Sequence, residues 1–207
     1  MQITKYEHSC LEVRVENSRL IIDPGKFTKS LTEFSNIDAV VITHIHSDHL
    51  DKTILQRIYT RNPNLKIFTT EQVADEINDL PVKIIEAGDN FEVNNINLEF
   101  FGGEHEFYNE FQNIAVLVNN ELFHPGDSYT QPNKPIKILA SPASAPWLRV
   151  KDAGDYIINC KPKVAFPIHN ILLSNEGKEI HYRILKSICD DNKISWQELG
   201  VGESIDS

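Results

Sequence analysis

The chain has 207 residues, of which 41% are hydrophobic and 24% are charged, values that are ordinary for a globular protein. Its formal net charge of -10 offers no electrostatic footprint for nucleic acid or for an anionic membrane surface. No apolar run approaches the length of about 18 residues that a membrane-spanning helix needs, so no membrane partner is expected.

The chain length predicts the number of domains, and the cysteines predict the cellular compartment. Residues 1–207 are predicted to form a single domain, because a chain of this size buries roughly 70% of its unfolded surface. Cys10, Cys160 and Cys189 are widely separated and odd in number, which indicates free thiols in a reducing compartment. The first residues lack the apolar segment of a signal peptide. We therefore expect a cytoplasmic protein.

The first predicted elements are a strand and a hairpin between about residues 2 and 23, where apolar residues alternate. Asn17-Ser18 forms the hairpin turn, and Asp23-Pro24-Gly25 predicts a turn after the second hairpin strand. His8 precedes the hairpin and has two interpretations of similar weight. It either reaches the functional site or is a partly buried histidine bonded to the backbone.

A dense polar cluster follows the short apolar run Ala39–Ile42, which predicts a buried strand. Residues 43–51 hold three histidines and two carboxylates, and an amphipathic helix is predicted to begin at Asp51. In α/β folds, ligands bind at the carboxyl ends of buried strands, beside the loops that connect these strands to helices. We therefore expect the functional site here.

The spacing within this cluster predicts metal binding. His44 and His46 are two apart, so in extended chain they leave on one face and can converge on one ion. Asp48 and His49 are adjacent and point to different places, which suits a second ion. Imidazole and carboxylate together favour zinc or another first-row divalent ion. A polar helix cap explains four potential ligands in six residues poorly.

The next elements alternate between strand and helix. Lys66–Thr69 predicts a strand, and Thr69 with Gln72 predicts a capping box, with Thr69 as the N-cap of a helix that runs to about Asp79. Period-two alternation from Ile96 to Phe100 predicts another strand, which leads through two glycines to His105. This order predicts an α/β layer architecture.

Two further ligand candidates follow buried strands in the second half. Asp127 comes shortly after a predicted hairpin over residues 113–124, a position that favours a ligand over a turn aspartate. His169 ends the apolar run that begins at Lys163. The remaining elements are a strand at 136–140, a loop to Trp147, helices at 152–160 and 176–190, a strand at 194–199 and a frayed tail at 200–207.

Together these residues carry a family resemblance. The motif His44-x-His46-x-Asp48-His49 after a buried strand, with His105, Asp127 and His169 following in order, resembles the metallo-β-lactamase superfamily. His8-Ser9, Asp23-Pro24-Gly25 and Pro146-Trp147 resemble the branch that includes ascorbate-6-phosphate lactonase, although Glu7 stands where that branch usually has glycine. The resemblance implies an α/β fold that is a four-layer αββα sandwich, with two facing β-sheets and helices outside.

The resemblance also implies a site and an activity. One ion would take His44, His46 and His105, the other Asp48, His49 and His169, with Asp127 bridging. The two divalent ions, zinc foremost and manganese as the alternative, would share a water and lower its pKa toward roughly 7. The resulting hydroxide would hydrolyse a small ester, lactone or phosphodiester, and because cations attract anions an anionic small molecule suits the site. Asp48 and His8 are the candidate catalytic residues, with Tyr129 as a further candidate proton donor.

Other functions stay open at this stage. A histidine at His46 argues for a hydrolase, since di-iron relatives usually have glutamate there, and single-iron persulfide-oxidising relatives are a further alternative. A nucleic-acid-processing hydrolase would have the same ligands, but the acidic balance counts against it. A non-catalytic metal-binding domain is disfavoured because all seven ligand positions are filled. Self-association into a homo-oligomer is left open.

Overall fold

Two seven-stranded sheets lie face to face in the computed structural model, which describes residues 1–207. In spatial order, the first sheet contains β14 (Ser204–Asp206), β1 (Gln2–Lys5), β2 (Leu11–Val15), β3 (Ser18–Ile22), β4 (Ala39–Ile42), β5 (Lys66–Thr69) and β6 (Lys83–Ile84). The second contains β13 (Ser195–Trp196), β12 (Val164–Ile168), β11 (Ile138–Pro142), β10 (Leu122–His124), β9 (Gln112–Val118), β8 (Ile96–Glu104) and β7 (Asn90–Val93). Both sheets are mixed, with three antiparallel and three parallel strand pairs each.

Four helices cover the outer faces of the two sheets. They are α1 (Lys52–Arg61), α2 (Glu71–Glu76), α3 (Val150–Cys160) and α4 (Asn175–Asp191). Buried residues of α1 and α2 share one apolar cluster with the first sheet, and those of α3 and α4 share another with the second sheet. The predicted α/β fold with an αββα layer order is therefore confirmed. None of these helices has the length and apolar character needed to cross a bilayer.

The main core lies between the two sheets and contains 20 buried apolar residues drawn from both. In β8, Ile96, Leu98 and Phe100 point into this core while Asn97 is exposed, as the alternation of the sequence predicts. All four residues of β4 are buried, because this strand has the core on one face and helices on the other. The strand that leads into the histidine cluster is thus among the most enclosed of the fold.

The predicted N-terminus of α1 is correct, and that of α2 is wrong by one residue. The Asp51 carboxylate caps α1 by accepting the backbone N–H groups of Thr53 and Ile54. The N-cap of α2 is Thr70 rather than Thr69, and its side chain forms no capping bond. Thr69 instead belongs to β5, where its hydroxyl donates to the Ile42 carbonyl. Sheet pairing takes precedence there over the local capping pattern.

The C-terminal tail was predicted to fray, and that prediction is wrong. Residues 204–206 form β14, which pairs antiparallel with β1, with Ile205 opposite Ile3. The Gly202 N–H also donates to the Lys5 carbonyl at 2.7 Å. The outer edge of β1 would otherwise present unpaired backbone groups to solvent, and the tail covers that edge.

Candidate metal centre

The predicted ligands meet at one end of the sandwich, where strands of both sheets end. His44 follows β4, His105 follows β8, and His169 follows β12. Two backbone hydrogen bonds join the segments that carry these ligands, from Ile114 to the Thr43 carbonyl and from His169 to the His8 carbonyl. The site is therefore assembled from both sheets.

The ligand side chains form two groups, each with its donor atoms within 4.8 Å of one another. The first group contains His44, His46, His105 and Asp127, and the second contains His8, Asp48, His49 and His169. All seven residues predicted as ligands are thus brought together, and His8 joins them. A tetrahedral site with bonds of about 2.1 Å needs donor atoms roughly 3.4 Å apart, so separations of this order suit a metal ion.

Asp127 lies between the two groups. Its Oδ1 is 3.1 Å from Nε2 of His49, and its Oδ2 is 3.1 Å from Nε2 of His169. The same Oδ2 is 3.6 Å from Nε2 of His105 and 4.0 Å from Nε2 of His44. A single buried carboxylate therefore faces donor atoms of both groups, the position that a bridging ligand requires.

Buried donor atoms without hydrogen bonds provide the test of whether this site fits a metal. Nε2 of His49, His105 and His169 and Oδ1 of Asp127 are buried and have no hydrogen-bond partner. A buried polar atom left unpaired costs about 1–3 kcal/mol, and native proteins contain few of them. Four such atoms converging on one place fit divalent cations, which would satisfy all of them.

Hydrogen bonds behind the rings orient several ligands. Nδ1 of His49 donates to Oδ2 of Asp23 at 2.7 Å, and Nδ1 of His169 contacts the Ser144 carbonyl at 2.5 Å. The Thr43 hydroxyl lies 3.0 Å from Nδ1 of His44. Such partners fix the tautomer that leaves Nε2 free for a metal.

His105 is bonded differently. Its Nδ1 accepts the backbone N–H groups of Phe107 and Tyr108 at 3.1 and 3.3 Å, so the neutral ring carries its proton on Nε2. Binding of a cation through Nε2 therefore requires this backbone to release the ring. Residues 105–108 and the third histidine ligand are coupled for this reason.

Burial and charge divide the histidines into two electrostatic classes. Burial holds the pKa of His44 well below its usual value, so this ring is neutral and ready to bind a cation. Burial also lowers the pKa of His169, but the Asp127 carboxylate outweighs it and raises that pKa to about 9. Burial also lowers the pKa of His49, but the carboxylates of Asp127 and Asp23 outweigh this effect and raise that pKa well above its usual value.

These shifts predict proton release when metal binds. In the metal-free protein His49 and His169 hold their protons at neutral pH, whereas metal ligands must be unprotonated. We expect metal binding at pH 7 to release about two protons, and apparent affinity to fall as pH drops below the His169 pKa of about 9. Calorimetry in buffers of different ionisation enthalpy measures this number. Binding without net proton release would contradict the prediction.

His8 lies at the site, with its Nε2 3.0 Å from Oδ2 of Asp48. A carboxylate only accepts, so His8 donates from Nε2, and its buried Nδ1 is left without a partner. Burial would raise the pKa of Asp48, but the neighbouring imidazoles of His169 and His8 hold it well below its usual range. Both His8 and His169 have left-handed backbone, at φ 60° and 52°, a conformation that concentrates at functional sites.

Two residues that matter to the site were not among the predicted site residues. Asp23 was interpreted only as part of a turn, but both of its oxygens are buried against Thr43 and His49. Thr43 links Asp23 to His44 through its hydroxyl. One signal could have found Asp23, namely a charged residue directly after the wholly apolar stretch Leu20–Ile22.

Glu7, which stands where the resembling branch has glycine, secures a loop beside the site. Its carboxylate accepts the backbone N–H groups of Lys29 and Ser30 and the Ser30 hydroxyl. That loop carries Phe27, whose ring is 5.4 Å from the His8 ring. The departure from the family pattern therefore supports the surroundings of His8.

Trp147 and Tyr129 differ in their contacts with the candidate ligands. Nε1 of Trp147 lies 3.4 Å from Oδ2 of Asp127, and its ring is 6.1 Å from that of His105. Tyr129 packs on Trp147 and Tyr156, and its buried hydroxyl forms no hydrogen bond to any site residue. Trp147 therefore contacts candidate ligands directly, whereas the Tyr129 hydroxyl does not.

A polar cleft of about 680 Å³ opens beside His105. Its lining includes Glu104, Glu106, Ser128 and Tyr129. Gly102, at φ 86°, also lines it, and a side chain there would collide with Thr130. The cleft is large enough for a small molecule and leads to His105, a candidate ligand.

Comparisons with known proteins identify the family and the fold of the chain. A family model described as a beta-lactamase superfamily domain matches residues 2–169. Protein Rv0786c of Mycobacterium tuberculosis is 30% identical over 211 residues, which cover 97% of this chain and 99% of that protein. The solved structure of Igni18, a metallo hydrolase from Ignicoccus hospitalis, has a TM-score of 0.78 at 16% identity and covers 99% of this chain and 97% of its own. The metallo-beta-lactamase fold protein YhfI from Bacillus subtilis has a TM-score of 0.80 at 12% identity, covering 100% and 98%.

Proposed function

Because the chain belongs to the metallo-β-lactamase superfamily as a metal-dependent hydrolase, we propose that it uses two divalent cations to hydrolyse a small ester, lactone or phosphodiester. One cation would be held by His44, His46 and His105, and the other by Asp48, His49 and His169. Asp127 would be shared between the two.

The position of the Asp127 carboxylate carries this proposal. It lies 3.1 Å from Nε2 of both His49 and His169, and 3.6 Å from Nε2 of His105. Its charge would offset part of the charge of two cations, which cannot be brought close together without an intervening anion. Five imidazoles and two carboxylates favour zinc over calcium or magnesium, with manganese as the alternative.

When bound, the cations would supply Lewis acidity that activates a water and polarises the acyl or phosphoryl oxygen of the substrate. Asp48 is the partly exposed carboxylate of the site, with 24% of its side chain accessible, so it can meet both water and substrate. His8 is only 1% exposed and donates to Oδ2 of Asp48, which fixes the direction of the carboxylate. We assign Asp48 to orienting the attacking water, and His8 to holding Asp48 in place.

The surroundings of the site support a small substrate over nucleic acid. Residues 104–110, which include the third histidine ligand, carry three glutamates and no lysine or arginine. A nucleic-acid backbone needs basic side chains near the reaction centre. Since both sheets contribute ligands, we also propose that residues 1–207 act as one domain.

Metal content and a substrate panel test the proposed function together. We expect about two zinc or manganese ions per chain, by mass spectrometry, in protein purified without chelator or nickel resin. The same preparation should hydrolyse at least one member of a panel of esters, lactones, thioesters and phosphodiesters, and a chelator should abolish that turnover. A single iron per chain would favour oxidative chemistry instead. Two ions without turnover on any member would favour a non-catalytic metal-binding domain.

A further inference from the structure

Three of the seven exposed large apolar side chains closely follow candidate ligands in the sequence. Phe107 is 62% and Tyr108 38% exposed, two and three residues after His105, and Leu172 is 60% exposed, three residues after His169. Successive residues span at most about 3.6 Å, so all three lie close to the ligand that precedes them. Single exposed apolar residues are ordinary. Two adjacent exposed aromatic rings that follow a candidate ligand indicate a binding surface.

The aromatic loop, residues 105–111, connects the ligands to solvent through a continuous series of rings. The Phe111 ring is 4.8 Å from that of His46, and the Tyr108 ring is 5.4 Å from that of His105. Tyr108 also contacts Phe111 at 5.7 Å and Phe107 at 4.8 Å. A substrate group leaving the metal site along this loop would therefore meet apolar surface without interruption.

The aromatic loop is held in place by hydrogen bonds rather than left free. Gln72 of α2 donates to the Glu110 carbonyl at 2.6 Å and accepts the Gln112 N–H at 2.8 Å. On the other side, the Glu106 N–H donates to the Asp127 carbonyl at 2.9 Å. A surface fixed at both ends can bind an apolar group without first being ordered, which favours affinity.

The charges on the same segment restrict which group can bind. Glu104, Glu106 and Glu110 are exposed on the same segment as the aromatic rings, and residues 104–111 contain no lysine or arginine. An anionic group next to these carboxylates would be repelled, whereas hydrocarbon would not. The charge and the rings therefore indicate an uncharged apolar group.

We propose that the aromatic loop binds the uncharged hydrocarbon part, acyl or aryl, of the molecule that is hydrolysed at the metal site. The inference rests on the proposed function for the scissile bond, and it adds the class of substrate. Phe107 and Tyr108 would form the outer part of this subsite, and Phe111 the part nearest to His46.

A chain-length series tests this subsite. We expect kcat/KM for p-nitrophenyl esters to rise about twofold per methylene from acetate to octanoate, because each methylene leaves water only on the side that faces the rings, and full burial would give about fourfold. Phe107→Ala should reduce the octanoate-to-acetate ratio about tenfold. Phe107 is the best position because its ring touches Tyr108 but no ligand ring.

Ile84→Ala is the matched control, since Ile84 is 46% exposed on β6 of the first sheet, outside the site. It should leave the ratio unchanged. Calorimetric binding of octanoate and acetate to the metal-loaded protein gives the same comparison without turnover. If no ester is hydrolysed, but octanoate binds more tightly than acetate and Phe107→Ala abolishes that preference, the subsite is supported and the proposed reaction is wrong. An octanoate-to-acetate ratio near one in wild-type turnover and binding would overturn the subsite.

Discussion

Asp127→Asn is expected to remove at least one metal ion per chain and to lower turnover by about 10³-fold or more. Asparagine keeps the shape but offers one neutral acceptor where two charged oxygens face His49 and His169. Without that charge, two cations would repel one another with nothing between them. Metal content by mass spectrometry and kcat/KM on the best substrate of the panel measure the two effects.

The fold should survive this substitution. The Asp127 backbone is held independently, because its N–H donates to Oδ1 of the buried Asn113 at 2.9 Å. Circular dichroism should therefore match the wild type. Asp155→Asn is the control for the chemical change alone, since Asp155 is about half exposed and pairs only with Lys151 on α3. Wild-type turnover with two ions bound to Asp127→Asn would contradict the shared-ligand arrangement.

The ligand set could be anticipated because its signals are local. His44, His105 and His169 each stand where an apolar strand gives way to polar residues, and the sequence displays such boundaries directly. The layer order was predictable for a similar reason, since strands and helices alternate along the chain. Their meeting at one end of two sheets came from family resemblance, because no local pattern specifies which strands become neighbours.

The missed features depend on partners that are distant in the sequence. Asp23 has the pattern of a turn, and its role appears only when β3 and β4 pair and bring its carboxylate to Thr43 and His49. The tail looked free because its partner, β1, lies about 200 residues earlier. Thr69 matched a capping pattern, but pairing of β5 with β4 includes it in the strand. Local propensity yielded to tertiary pairing in each case.

Asp23→Asn is expected to lower the affinity for the metal ion at His49 about 10- to 100-fold, although Asp23 is not a predicted ligand. Oδ2 of Asp23 accepts from Nδ1 of His49 at 2.7 Å and from the Thr43 hydroxyl at 2.7 Å. An amide nitrogen at that position would place its N–H groups against two other donors, the Thr43 hydroxyl and Nδ1 of His49. The His49 ring would then lose the hydrogen bond that keeps Nε2 free. Competitive titration of the metal-free protein with a chromophoric chelator measures the affinity of each site.

Removing the Asp23 carboxylate entirely separates its effect on the orientation of His49 from its effect on folding. Asp23→Ala would leave the buried Thr43 N–H, the Thr43 hydroxyl and Nδ1 of His49 without their acceptor, so we expect a loss of several kcal/mol in the free energy of unfolding. Asp38→Asn is the matched control, because Asp38 accepts the Arg19 N–H immediately before β4, at the end of the strand away from the site. It should leave metal affinity unchanged. If Asp23→Asn bound both ions as tightly as the wild type, His49 would be oriented by packing alone. A loss of affinity in Asp23→Asn without a matching loss of stability would identify Asp23 as the group that prepares His49 for metal.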